Sequence, residues 1–208
     1  MSPHHLILGG QRSGKSRHAE RLAQAWLQRS PRHGVTVVAT AMASDDEMRE
    51  RIARHRLDRP AGFGVIEAPL DLAAALRGVS ELSDPHRLVV IDCLTLWVTN
   101  VLMPMSMPMP MPMHGAAEGP GDGLPEAMLD EAAWTQRRLA LLAALREREG
   151  PVLLVSNEIG MGVIPLGAGV RRVVDELGRL HQDVAQCCGH ITLMAAGQPF
   201  TQQVQRWD

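Results

Sequence analysis

Eight residues near the start, Gly9-Gly10-Gln11-Arg12-Ser13-Gly14-Lys15-Ser16, restrict this chain more than any other feature of it. They fit the pattern G-x-x-x-x-G-K-[ST] completely, and they follow the short apolar run Leu6-Ile7-Leu8. Beyond them Ala19, Leu22, Ala23, Trp26 and Leu27 recur at helical spacing, so the helix is expected over 15–29 and stops before Pro31. A strand, a glycine turn and a helix in that order aim main-chain N–H groups and the positive end of a helix dipole at an anion. The spacing predicts a nucleotide phosphate cradle, with Lys15 reaching the β- and γ-phosphates and the Ser16 hydroxyl on Mg²⁺.

The rest of the chain repeats the alternation of strand and helix. Residues 35–40, 88–92, 152–156 and 191–195 are apolar or β-branched runs without polar alternation, the pattern of strands covered on both faces. Residues 65–67 are a weaker strand, and 200–204 are a candidate antiparallel edge. Helices are expected over 45–57, 70–78, 94–102 and 126–149, the last with Leu129, Ala132, Ala133, Leu139, Leu142 and Leu145 as its apolar stripe. A further helix carries Val170, Val173, Val174, Leu177, Leu180, Val184 and Cys188 on one face. These elements make an α/β fold, a mostly parallel sheet with helices on both faces, and 208 residues suit a single domain. Segment 103–125 interrupts it with proline at every second residue among methionines, and is expected as a flexible insertion rather than a packed element. A copper(I) or greasy-ligand role is the less favoured alternative there.

Ligands of such sheets bind beyond the carboxyl ends of the strands. That rule gathers Gly9, Thr40, Glu67, Asp92 and Asn157 at one edge. Asp92 closes the strongest apolar strand, where a P-loop enzyme places its second acidic contact to Mg²⁺; the competing reading is an Asp capping the next helix.

Composition removes several classes of partner. With no Tyr, two Phe, four Trp and a formal charge of −2, the chain offers neither base-stacking platforms nor a basic footprint for nucleic acid. No apolar stretch approaches the ~18 residues that span a bilayer, and the run before Gly9 is too short for a signal peptide. Cys93, Cys187 and Cys188 form neither a CxxC pair nor a metal-binding spacing, so reduced thiols in the cytoplasm are expected. The cradle by itself does not name a reaction, although the absence of Asn-Lys-x-Asp counts against a guanine-reading switch.

Four segments together are more specific. They are residues 9–20; Ala39-Thr40-Ala41 with Asp45-Asp46-Glu47-Met48 and Arg51-Ile52-Ala53-Arg54-His55; Asp92-Cys93-Leu94-Thr95 with Val98-Thr99-Asn100; and Ser156-Asn157-Glu158-Ile159-Gly160-Met161-Gly162-Val163-Ile164-Pro165. In this order and over nearly the whole chain, they resemble the bifunctional adenosylcobinamide kinase / adenosylcobinamide-phosphate guanylyltransferase family of cobalamin biosynthesis. The resemblance implies a RecA-like P-loop domain and two transfers. A phosphoryl group passes from ATP or GTP to the aminopropanol hydroxyl of adenosylcobinamide, and GMP then passes from GTP to that phosphate, releasing pyrophosphate. It implies a GMP-histidine intermediate on His55, chemistry that suits a neutral imidazole. For guanine and ribose it implies Ala39, Thr40, Ala41, Arg56, Leu57, Asp58, Arg59 and Glu67, and for Mg²⁺ it implies Ser16 and Asp92. It also implies a homotrimer. The sequence departs from the family where Arg54 replaces the first of two adjacent histidines, and in the Met/Pro insertion. A monofunctional small-molecule kinase and a nucleotide-dependent regulatory protein remain the alternatives.

Overall fold

The computed structural model describes residues 2–42, 46, 49–50, 62–79, 84–103 and 130–204. In chain order they form β1 (His5–Gly9), α1 (Lys15–Leu27), β2 (Gly34–Ala39), β3 (Phe63–Glu67), α2 (Leu72–Gly78), β4 (Arg87–Asp92), α3 (Leu94–Leu102), α4 (Glu131–Glu147), β5 (Val152–Asn157), α5 (Ala168–Cys187), β6 (His190–Ala195) and β7 (Gln198–Gln203). Of the helix expected over 45–57 only Asp46, Arg49 and Glu50 are described, in helical conformation; the remainder lies outside the described residues, as does the insertion after Met103.

Among the described residues seven strands make one sheet in the order β3-β2-β4-β5-β1-β6-β7. Every neighbouring pair is parallel except β6–β7, which a two-residue turn joins as a hairpin. Ala196 and Gly197 in that turn both have positive φ, 50° and 78°, the signature of a type I′ turn. The strand leading to the glycine loop, β1, and the strand ending in Asp92, β4, are separated by β5. This is the RecA-like arrangement.

The unbroken apolar runs have a simple cause. Successive side chains of a strand point to opposite faces, and here both faces are covered. Leu6, Val89, Ile91 and Leu154 enter a core with α2, α3, α4 and α5, while Ile7, Leu88, Val90, Leu153 and Val155 enter a second core beneath α1. In the larger core Trp97 of α3 and Trp134 of α4 are almost fully buried, with ring centroids 5.3 Å apart and tilted by 47°. Each buried aromatic or leucine of this kind contributes about 1.5–3 kcal/mol through area removed from water.

Three stripe residues fall elsewhere, and Ala132, exposed on the same face of α4 seven residues before Leu139, is one of them. Leu139 is exposed because the buried face of α4 runs through Trp134, Leu141, Leu142 and Leu145, and Leu139 sits about 200° around the helix from Leu141. Val170 is also exposed: it lies in the first turn of α5, ahead of the buried series Val173, Leu177, Leu180, Val184 and Cys187.

Candidate active site

The glycine loop leaves β1 at the carboxyl edge of the sheet, and three separate contacts hold it. Glu158 N–H donates to Gly9 O at 3.0 Å, Ser13 N–H donates to Gly10 O at 3.2 Å, and Gly197 N–H in the β6–β7 turn donates to Ser13 O at 3.1 Å. Gly9 tolerates no side chain, because a Cβ there would stand 2.5 Å from Met194 O and 2.7 Å from Ser13 Oγ. Gly14, at φ 98°, takes a left-handed conformation that opens α1. The first N–H groups of an α-helix have no intrahelical partner, and α1 supplies neither a side-chain cap nor an acid in its first turn. Its amino end therefore favours an anion. Lys15 is largely buried and folds back over the loop, donating from Nζ to Gly10 O at 2.7 Å, while Gln11 and Arg12 lie exposed on the rim.

Ser16 and Asp92 line one small cavity, so the first turn of α1 and the end of β4 converge as the sequence expects. Glu20 lines it too. The sequence reading gives Glu20 no role, although its position four residues after Ser16 puts both on one helical face. A hydroxyl beside carboxylates is a hard-oxygen donor set suited to Mg²⁺. Among the described residues no group of three or more His, Cys, Asp or Glu is arranged to hold a metal by itself.

The Thr40 side chain is engaged within the fold. It is fully buried, and its hydroxyl donates to Cys93 O at 2.7 Å while accepting from Cys93 N–H at 2.8 Å. Thr40 N–H donates to Asp92 O at 3.2 Å, and Asn100 Nδ2 donates to Thr40 O at 2.8 Å. The side chain thus ties the end of β2 to the start of α3 and fixes where Asp92 stands. Burial, reinforced by the Asp92 charge, pushes the Cys93 thiol up to about 11, so it is no nucleophile.

Ala39 and Ala41 flank Thr40, and Glu67 ends β3 in register with Ala39 with its side chain exposed. These residues lie on the far side of β4 and β5 from the glycine loop. Three inter-strand steps, about 14 Å, separate the ends of β2 and β1. The edge is thus a trough with the phosphate loop at one end, Asp92 and Asn157 in the middle and the β2–β3 ends at the other. His55, Arg54, Arg56, Leu57, Asp58 and Arg59 lie outside the described residues.

Behind the trough runs a buried polar chain that sequence reasoning did not find. Asn157 N–H donates to Thr95 Oγ1 at 2.7 Å; Thr95 Oγ1 and Ser156 Oγ are 3.1 Å apart; Ser156 Oγ and His181 Nε2 are 2.7 Å apart; and His181 Nδ1 lies 3.8 Å from Glu158 Oε2. Burial lowers the His181 pKa against the opposing pull of Glu158, which keeps the imidazole neutral at neutral pH. The only sequence trace of this chain is that Val184, Leu180, Leu177 and His181 share the buried side of α5.

The family described as cobinamide kinase / cobinamide phosphate guanyltransferase matches residues 5–202. The chain belongs to that family. The bifunctional adenosylcobalamin biosynthesis protein CobP of Pseudomonas aeruginosa is 44% identical over 196 residues, covering 94% of this chain and 94% of that protein. The bifunctional adenosylcobalamin biosynthesis protein CobU of Escherichia coli is 33% identical over 192 residues, covering 92% and 95%. Among solved structures, the flagellar accessory protein FlaH from Methanocaldococcus jannaschii overlays with a TM-score of 0.42 at 13% identity, covering 95% of this chain and 75% of that one. Cobinamide kinase and cobinamide phosphate guanyltransferase activities are those of the family, and the cradle, the Ser16–Asp92 cavity and the trough are the features of this member available for them. Among the described residues no helix is long and apolar enough to cross a membrane.

Proposed function

We propose that this one trough serves both transfers in turn. In the first, ATP or GTP lies with its phosphates on residues 9–16, and its terminal phosphoryl group passes to the aminopropanol hydroxyl of adenosylcobinamide. In the second, GTP donates GMP to His55, and adenosylcobinamide phosphate takes it up to give adenosylcobinamide-GDP. The observation that carries this reading is the cradle itself, an uncapped helix start behind a glycine loop with Lys15 folded over it.

Lys15 and the loop amides stabilise charge on the departing phosphates. Ser16 and Asp92, which line one cavity, would hold Mg²⁺, Asp92 being fixed through Thr40, and the ion would supply charge against the phosphates. Ala39, Ala41, Glu67 and residues 56–59 receive the guanosine at the other end of the trough. We place the reactions in the cytoplasm, in a single domain that assembles as a homotrimer. Three buried free thiols suit a reducing compartment.

The test is incubation with α-labelled GTP. The expected result is acid-labile, base-stable label on the wild type and none on His55→Ala, with His55→Ala still phosphorylating adenosylcobinamide. An unlabelled wild type, or a labelled His55→Ala, removes the histidine intermediate.

A further inference from the structure

The buried chain Asn157–Thr95–Ser156–His181–Glu158 has no part in the scheme above, and its bonding fixes a direction. The Asn157 amide is a donor, so Thr95 Oγ1 accepts from it at 2.7 Å. His181 Nδ1 faces Glu158 Oε2 across 3.8 Å, beyond hydrogen-bond reach, and the negative charge there favours the tautomer with its proton on that nitrogen. His181 Nε2 is then an acceptor, and the Ser156 hydroxyl donates to it at 2.7 Å. Ser156 Oγ in turn accepts from Thr95 at 3.1 Å. Every hydroxyl donates once and accepts once. The result is a one-way chain of hydrogen bonds that ends on His181, whose Nδ1 faces the Glu158 carboxylate.

That carboxylate stands beside the phosphate loop. β5 lies between β1 and β4, so residue 158 emerges between the phosphate loop and Asp92. Asn157 pairs in register with Gly9, and Glu158 N–H is bonded to Gly9 O at 3.0 Å, so the carboxylate is within a side chain's length of the first cradle residue. Its Oε1 accepts from Gly160 N–H at 2.7 Å, which sets the rotamer and holds the loop after β5. Glu158 is partly open to the trough, and among the described residues no lysine or arginine pairs with it. His181 and Ser156 are buried, so the support is rigid.

We propose that Glu158 is the general base of the phosphoryl transfer, and that His181 is a positioning residue which steadies it through the electrostatic contact of Nδ1–H with Oε2. The proposal rests on the two-step reading above and assigns a role within it. As the substrate hydroxyl oxygen bonds to the γ-phosphorus, the bond from that phosphorus to its bridging oxygen breaks. The electron pair leaves with the nucleoside diphosphate, and the hydroxyl proton passes to the Glu158 carboxylate. Only this step has an acceptor that must lose a proton. In guanylyl transfer the acceptors are a neutral imidazole and then a phosphate, neither of which needs a base. Glu158 therefore separates the two activities.

The experiment measures both transfers separately, the first with adenosylcobinamide and the second with adenosylcobinamide phosphate, alongside nucleotide affinity. Glu158→Gln is expected to lower kinase kcat on the order of 10²–10⁴-fold with KM for the nucleotide unchanged. Guanylyl transfer should stay near the wild-type rate. Glu158→Asp, which retains a carboxylate, should recover part of the kinase loss. His181→Asn keeps an N–H at the Nδ1 position and should retain more kinase kcat than His181→Leu. Equal losses in the two His181 variants overturn its positioning role. A Glu158→Gln enzyme that binds nucleotide and phosphorylates at the wild-type rate overturns the base assignment, as does one that loses both transfers together. A wild type inactive in both transfers overturns the reading of the whole site instead.

Discussion

Replacing Thr40 by valine exchanges a hydroxyl for a methyl group of nearly the same volume at a fully buried position. The hydroxyl makes two bonds to the same residue, donating to Cys93 O at 2.7 Å and accepting from Cys93 N–H at 2.8 Å. Losing them has unequal effects. Cys93 O retains the Trp97 N–H bond at 3.2 Å, so its share of the loss is that of an ordinary hydrogen bond, about 0.5–1.5 kcal/mol. The Cys93 N–H is left buried without its acceptor, which costs about 1–3 kcal/mol. Together Thr40→Val should destabilise by about 2–4 kcal/mol, lowering Tm by roughly 4–16 °C in a domain of this size. Thr40→Ser keeps both bonds and removes one buried methyl, so it should cost only about 1 kcal/mol. Urea and thermal unfolding of the three proteins, each without nucleotide, make the comparison. If Thr40→Val unfolds with the wild type, or if Thr40→Ser is the less stable variant, the hydroxyl does not lock the ends of β2 and α3 together. If stability is unchanged but guanine nucleotide affinity collapses, Thr40 is a ligand contact after all.

Gly9→Ala should raise the Kd for Mg·GTP at least tenfold, about 1.4 kcal/mol, because its Cβ would meet main-chain Met194 O at 2.5 Å and displace the loop; titration calorimetry with unchanged affinity would refute this. Acid should destabilise the fold through His5, whose pKa burial lowers to about 4, with positive charge on His190 and His18 adding to the effect. A histidine depressed in the folded state contributes stability that is complete above the unfolded value near pH 6.5 and is lost as pH falls from there toward 4. Because His5 is only part-buried, solvent screening reduces the raw figure to about 1–2 kcal/mol. Unfolding free energies measured across that window should slope less in His5→Gln, and parallel slopes would refute the assignment.

The resemblance carried by Asn157-Glu158-x-Gly-x-Gly and the other three segments was enough to point to the family, and the match over residues 5–202 bears it out. Local pattern also determined the element order, because an uninterrupted apolar strand is legible wherever both faces are covered, as in Val152–Val155 and Leu88–Ile91. It read α3 to its terminal residues and named Gly9, Thr40, Glu67, Asp92 and Asn157 as one edge, since strand direction in a parallel sheet is fixed by the chain itself.

Tertiary structure decided the rest, for one physical reason: a hydrogen bond between residues far apart in sequence leaves no periodicity behind. Strand ends put Thr40 at the carboxyl edge, and the resemblance implied a nucleotide contact there, but only its pairing with Cys93, 53 residues on, reveals the lock. The β6–β7 turn that steadies Ser13, and Met194 of β6, whose main chain excludes a side chain from Gly9, come from the opposite end of the chain. His181 drew no role from the sequence, and it became chemistry only when packing set it between Ser156 and Glu158. Which face a helix buries is likewise settled by its neighbours, as exposed Leu139 and Val170 show.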